Sequence, residues 1–256
     1  MSGPVLELER LRSPEVRALL DRGMRTAVFA CGAVEQHGPH LPMFMDAEHG
    51  THLALAVAER LGDALVAPTI RVGCSDHHLA FAGSLSIRSS TLVALLHDYC
   101  RSLAHHGFER VCIIPSHGGN FRIIEEAVPG LRAEFPALTI VAFTDIMALM
   151  RLWTELAEAE SGLGERVGGH ADIAETAIML AMHPDLVRQD LAAEGYRGGI
   201  TPEKLEQMIR DGFDTVSPNG ILGDARGASA ALGQRLIQGV ADEIVRLLDT
   251  SRPASA

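Results

Sequence analysis

The stretch TAVFACGAVEQHGPHLPMFMDAEHGTHLALAVAERLG, Thr26–Gly62, decides the fold, because it sets a strand, a charged loop and a helix in that order. Thr26–Val34 is a short apolar, β-prone run ending in glycine and charge. From Asp46 the apolar residues return at helical spacing, at Leu53, Val57 and Leu61, with Asp46 or a neighbour as N-cap and Gly62 as stop. Strand-like runs follow at Ala64–Gly73, Arg110–Asn120 and Leu138–Ile146, the second running into a glycine loop. Helices are predicted over Ser89–Gly107, from Asn120 until a break near Pro129, over His170–Pro184 and over Gly227–Asp249. This alternation predicts an α/β fold with a mainly parallel sheet covered on both faces, in one domain spanning residues 1–256. The least regular part is Asp190–Asp224, an arm, a lid or an oligomer contact.

Composition narrows the function. Apolar residues make up 47% of 256, enough to cover a core. The 33 acidic against 22 basic residues give a formal charge of −11, which argues against a nucleic-acid or anionic-membrane partner. Cys31, Cys74, Cys100 and Cys112 are scattered without disulfide-like or CxxC spacing, as expected of reduced thiols in a cytoplasmic protein. The charged N-terminus reads as neither a signal peptide nor a membrane anchor.

The chemistry-bearing residues cluster in a few places. Glu35 and His37 stand two apart, so on extended backbone both side chains point the same way and can ligate one metal or two neighbouring ones. An exposed loop with chance charges would read the same. Asp46 is either a helix cap or a carboxylate with one oxygen free to bridge metals. His117, in PSHGGN, ends an apolar strand, where parallel sheets place their ligands. That loop lacks the Lys-Ser/Thr of a P-loop, and Gly118 and Gly119 let backbone approach a ligand closely. Glu175 lies among small and apolar residues, where a carboxylate needs a cation or an arginine. Together Glu35, His37, Asp46, His117 and Glu175 form an imidazole and carboxylate set that suits Zn²⁺, Mn²⁺ or Fe²⁺.

The runs GAVEQHGPHLPMFMD, GCSDHHLAFAGSLSI, SHGGN and HADIAETAIML, in this order, resemble the creatininase family over roughly residues 20–235. The resemblance implies a three-layer α/β/α sandwich and two divalent metal ions per chain, zinc first, with manganese or iron as alternatives. It implies that Glu35, His37, Asp46 and His117 hold the ions, with Asp46 bridging, and that the chain forms a homo-oligomer, commonly a hexamer. It also implies proton transfer by His170 and a pocket role for His78, for which a supporting or surface position is the alternative.

Two features depart from true creatininases, which place a tyrosine and a ligating glutamate after the loop histidine. Here those positions are Gly118 and Gly119, so Glu175 becomes the candidate to complete the site. Creatininases also hold their flat substrate with a pair of tryptophans and a glutamate before the catalytic histidine. This chain has Trp153 alone, and Gly169 precedes His170. The expected activity is therefore metal-dependent hydrolysis of a C–N bond in a small amide, lactam or formamide other than creatinine. His170 would act as general acid, and His78, Gly118, Gly119 and Asn120 would contact substrate. The alternatives are a peptidase of the mycofactocin-maturation type, a metal-dependent lyase or isomerase, and a non-catalytic metal-binding scaffold.

Overall fold

The computed structural model describes residues 6–199 and 201–250. Residues 1–5, part of the N-terminal stretch read above as carrying no leader, lie outside the described residues. The elements run α1 Ser13–Asp21, β1 Thr26–Cys31, α2 Met45–Leu61, β2 Ala64–Val66, α3 Ser89–His106, β3 Arg110–Pro115, α4 Phe121–Glu134 and β4 Thr139–Ala142. They continue with α5 Ile146–Ser161, β5 Val167–His170, α6 Ile173–Met182, α7 Pro202–Asp211, β6 Leu222–Gly223 and α8 Ala230–Thr250. Among them, no helix is long and apolar enough to cross a membrane.

A parallel sheet runs in the order β2-β1-β3-β4, with Cys31 opposite Pro115 at the ends of its two central strands. Strand parity sorts the core into two halves. Val28, Ala30, Cys112 and Ile114 pack with α2, α5, α6 and α8 on one face. Ala27, Phe29, Cys31, Val111 and Ile113 pack with α3 and α4 on the other. Both strands are buried on both faces, hence their nearly continuous apolar sequence. This is the three-layer α/β/α sandwich expected. The connection leaves β1 toward β2 on one side and reaches β3 on the other, so the order reverses between β1 and β3. Ligands of open α/β sheets bind beyond the strand ends at such a point.

Local differences from the sequence reading have identifiable causes. The strand predicted over Leu138–Ile146 shortens to Thr139–Ala142, and the one predicted over Ala64–Gly73 keeps only Ala64–Val66 plus a bridge from Ile70 to Cys31. Helix α4 continues through Pro129, which is exposed, so water can serve the carbonyl that loses its partner. The helix predicted from His170 starts three residues later. His170 instead ends β5, which pairs antiparallel with β6. The irregular stretch Asp190–Asp224 contains α7 and β6 and packs against the sheet's ligand end through Phe213 and Gly220.

Candidate metal centre

Glu35 and His37 leave the end of β1, His117 leaves the end of β3, and Asp46 enters from the first turn of α2. The four meet beyond the strand ends, each buried, which removes the exposed-loop reading of the Glu35–His37 pair. Asp46 is not the cap of α2. Phe44 takes that position, and the Asp46 carboxylate turns inward, with Oδ1 3.1 Å from His37 Nε2 and Oδ2 3.2 Å from His117 Nδ1.

The two histidines are oriented alike. His37 Nδ1 donates to the Glu35 carbonyl at 3.1 Å, and His117 Nε2 donates to the Cys74 carbonyl at 3.1 Å. A carbonyl only accepts, so these nitrogens carry the ring protons and the opposite ones present lone pairs to the carboxylates. His117 Nδ1 also lies 3.2 Å from Glu35 Oε1. Glu175 Oε2 lies 3.6 Å from His37 Nε2 and accepts the amide of Ala171, and among the described residues no arginine pairs with it. The donor atoms fall into groups within 4.8 Å: Glu35, Asp46 and His117 form one, and His37, Asp46 and Glu175 another, with Asp46 in both. Glu35 Oε1 and Oε2 and Asp46 Oδ2 are buried without a hydrogen bond. Buried anionic oxygens lined up against imidazole lone pairs call for cations, so these residues fit a metal pair.

The electrostatics without metal agree. Burial disfavours charge on His37, yet Asp46 and Glu175 outweigh it and raise the imidazole to about 10. His117 is likewise buried but held well above its ordinary value by Glu35 and Asp46. Burial lifts Glu175 to about 8 against the pull of His37. Protons thus occupy the places that a cation would take.

Around this centre lies a second ring of contacts. His170 Nε2 donates to the Gln36 carbonyl at 2.9 Å, which leaves Nδ1 bare and 3.8 Å from Glu35 Oε1. Burial and the charge of His37 lower His170 to about 3. It also shares a possible metal group with Glu35 and His37. The Gln36 amide donates to the Gly220 carbonyl and to His78 Nδ1, so the His78 ring proton is on Nε2, which lies 3.3 Å from Glu35 Oε1 without forming a hydrogen bond. His78 is therefore buried against a candidate ligand, and the surface alternative falls. Phe213 covers both His78 and His170, with ring centroids 4.3 and 4.9 Å away.

The loop behind His170 is braced by Asp172. Its Oδ2 accepts from Gly168 and Gly169, its Oδ1 from Ala174 and Glu175, and it caps α6. Ala171 sits at φ 50°, a strained value for a residue with a Cβ, with its amide aimed at Glu175. Gln36, Phe213 and Asp172 escaped the sequence reading. Asp172 carried a usable signal, an aspartate just ahead of a helix. Phe213 carried none.

The glycine loop divides its tasks. Gly118 lines a cavity beside the centre. A Cβ on Gly119 would collide with the Cys74 carbonyl and come within 2.5 Å of His117 Nε2, so no glutamate fits there and Glu175 stands in the vicinity instead. Asn120 is corrected: its amide is spent on the Cys31 and Gly32 carbonyls and the Cys74 amide, so it ties loops together and is not left to touch substrate.

A sequence model described as creatininase, creatinine amidohydrolase, matches residues 9–248. The chain is 34% identical to a protein of Mycobacterium tuberculosis named mycofactocin precursor peptide peptidase, over 86% of this chain and 82% of that one. It is 29% identical to a creatinine amidohydrolase of Pseudomonas putida, over 90% and 92%. Among solved structures, a tryptophan-to-phenylalanine mutant of a type II creatininase superposes with a TM-score of 0.80 at 26% identity, covering 98% of this chain and 100% of that one.

Proposed function

The chain belongs to the creatininase family of hydrolases, and from that premise we propose that it is a metal-dependent amidohydrolase cleaving an amide C–N bond. One observation carries the reading: the Glu35 carboxylate, wholly buried and without a hydrogen bond, faces imidazoles from three separate loops. Glu35, Asp46 and His117 would hold one ion, and His37, Asp46 and Glu175 the other. Zn²⁺ suits these donors first, and Mn²⁺ or Fe²⁺ next. When bound, such a pair supplies Lewis acidity to a carbonyl and to water.

The protein's own groups supply the rest. His170, neutral and with Nδ1 bare, accepts a proton from the attacking water and returns it to the leaving nitrogen, acting as base before it acts as acid. The Gln36 carbonyl fixes that tautomer, and Phe213 limits water around the ring. Gly118 leaves room beside the centre where the family's tyrosine would stand. A small amide, lactam or formamide is the first substrate class. A peptide bond is the second, supported by the 34% identity to proteins named peptidases.

The test is release of ammonia, amine or formate from formamides, lactams and short peptides by protein loaded with Zn²⁺ or Mn²⁺. Turnover that vanishes on chelation and returns with metal supports the reading. A loaded protein inert toward every member of the panel overturns it.

A further inference from the structure

The turn from β5 into α6 carries His170 at one end and Glu175 at the other, and one buried carboxylate grips both ends. Asp172 Oδ2 accepts the amides of Gly168 and Gly169, at 2.7 and 2.8 Å, on the strand side. Its Oδ1 accepts those of Ala174 and Glu175, at 2.8 and 3.1 Å, on the helix side. A helix cap needs only the second pair. The first pair belongs to the strand, so capping leaves Oδ2 unexplained. Gly168 and Gly169 have no side chains by which the strand end could be fixed, and their amides are the groups a brace can hold. The turn also needs bracing. Gly169 stands at φ 95° and Ala171 at φ 50°, a conformation that a residue with a Cβ resists.

The brace reaches both functional groups. His170 directly follows the two held glycines, and the amide of Ala171, the next residue, donates to the Glu175 carboxylate. Any slip of the strand end along the helix start would move the imidazole and the carboxylate against each other. Such slips matter, since a reacting group misplaced by about 1 Å can lose about 10²-fold in rate. The backbone of Asp172 is anchored separately. Its carbonyl accepts from the Thr176 hydroxyl at 2.6 Å, and that hydroxyl oxygen accepts from His40 Nε2 at 2.8 Å. A change of side chain at Asp172 therefore leaves the turn tied to α6 and to the loop after His37. On the amide-hydrolase reading of this centre, we propose that Asp172 is a positioning residue. Its Oδ2, the oxygen that capping does not use, fixes His170 relative to Glu175 and so sets the rate of the chemistry, not the strength of substrate binding.

Asp172→Ser separates the two tasks, because a serine hydroxyl caps a helix about as well as a carboxylate but has no second oxygen for the strand. Asp172→Ala removes both. With Zn²⁺ loaded, Asp172→Ser should keep its metal content and a Tm close to that of the unsubstituted protein. Its kcat on the most reactive amide should fall by about ten- to a hundredfold, with KM within about twofold. Asp172→Ala should add a loss of Tm to the same fall. A kcat in Asp172→Ser within about twofold of the unsubstituted value overturns the assignment. So does a fall that comes with lost metal, with a KM raised in proportion, or with a Tm as low as that of Asp172→Ala, since each is explained without positioning. If the unsubstituted protein hydrolyses nothing, the hydrolase reading fails, and the visible absorption of Co²⁺-loaded protein decides on Asp172 instead. Co²⁺ reports the arrangement of its ligands, Glu175 among them, without turnover. A spectrum that changes in Asp172→Ser at equal Co²⁺ content keeps Asp172 as a positioning residue, and an identical spectrum removes it.

Discussion

Asp46 Oδ1 lies 3.1 Å from His37 Nε2, on a ring whose other nitrogen already donates to the Glu35 carbonyl. Two acceptors at that distance repel unless a proton or a metal cation stands between them. The relationship is repeated at Asp46 Oδ2 and His117 Nδ1, at 3.2 Å. One carboxylate thus joins two imidazoles that offer lone pairs from different strands.

Metal uptake should therefore expel protons. Without metal, His37 stays protonated to about pH 10 and His117 also remains charged at neutral pH. Between pH 7 and 9 the apparent affinity should rise with pH, by about tenfold per unit for each proton displaced. Calorimetric titrations with Zn²⁺ in buffers of different ionisation enthalpy count those protons. A heat independent of buffer would contradict the assignment.

The same raised values set the pH dependence of metal-free stability. A group whose folded pKa is raised holds more protons folded than unfolded, so stability falls as pH rises through the interval. For Glu175 that interval runs from 4.5 to about 8, and for His37 from 6.5 to about 10. Below about pH 6.5 the lowered His49 and His170 oppose this trend, so thermal unfolding in chelator should show a falling Tm from neutral to alkaline pH, and the fall should shrink when metal is present.

Asp46→Ala should lose both ions together, because Asp46 belongs to both donor groups, whereas Glu175→Ala should lose one. Elemental analysis separates these outcomes. Since Phe44, not Asp46, caps α2, loss of the aspartate should not carry the ordinary capping penalty of about 1 kcal/mol.

His170→Ala should keep its metal and lose about 10²–10⁴ in turnover, the range for a positioned acid or base. The loss should shrink for amides with a good leaving group. Metal loss as complete as in His117→Ala would instead place His170 among the ligands, beside Glu35 and His37.

Gly119→Ala should destabilise by about 1–3 kcal/mol, because its Cβ meets the Cys74 carbonyl and the His117 ring, and neither can retreat without disturbing the centre. Denaturant unfolding measures the first effect. Reduced metal content in the same variant measures the second.

Much of this was written locally. Apolar runs of strand length, helical spacing at Leu53, Val57 and Leu61, and glycine stops fix an α/β alternation, because period and punctuation act over a few residues. Glu35, His37 and His117 were legible as candidates because each directly follows a strand, and parallel strands end on one side. Where the reading left a choice open or failed, the deciding contact was distant. Asp46 and Asp172 both precede or open helices, and only packing made one a partner of two histidines and the other a cap. His170 left the expected helix because β6, more than fifty residues on, pairs with it. Gln36 was passed over between two louder neighbours until His78, His170 and Gly220 closed around its amide. Sequence spacing determines what a segment can present. The register of β1 against β3 and the return of residues 190–224 across the strand ends decide what it meets, because those contacts arise from packing between segments that no local period connects.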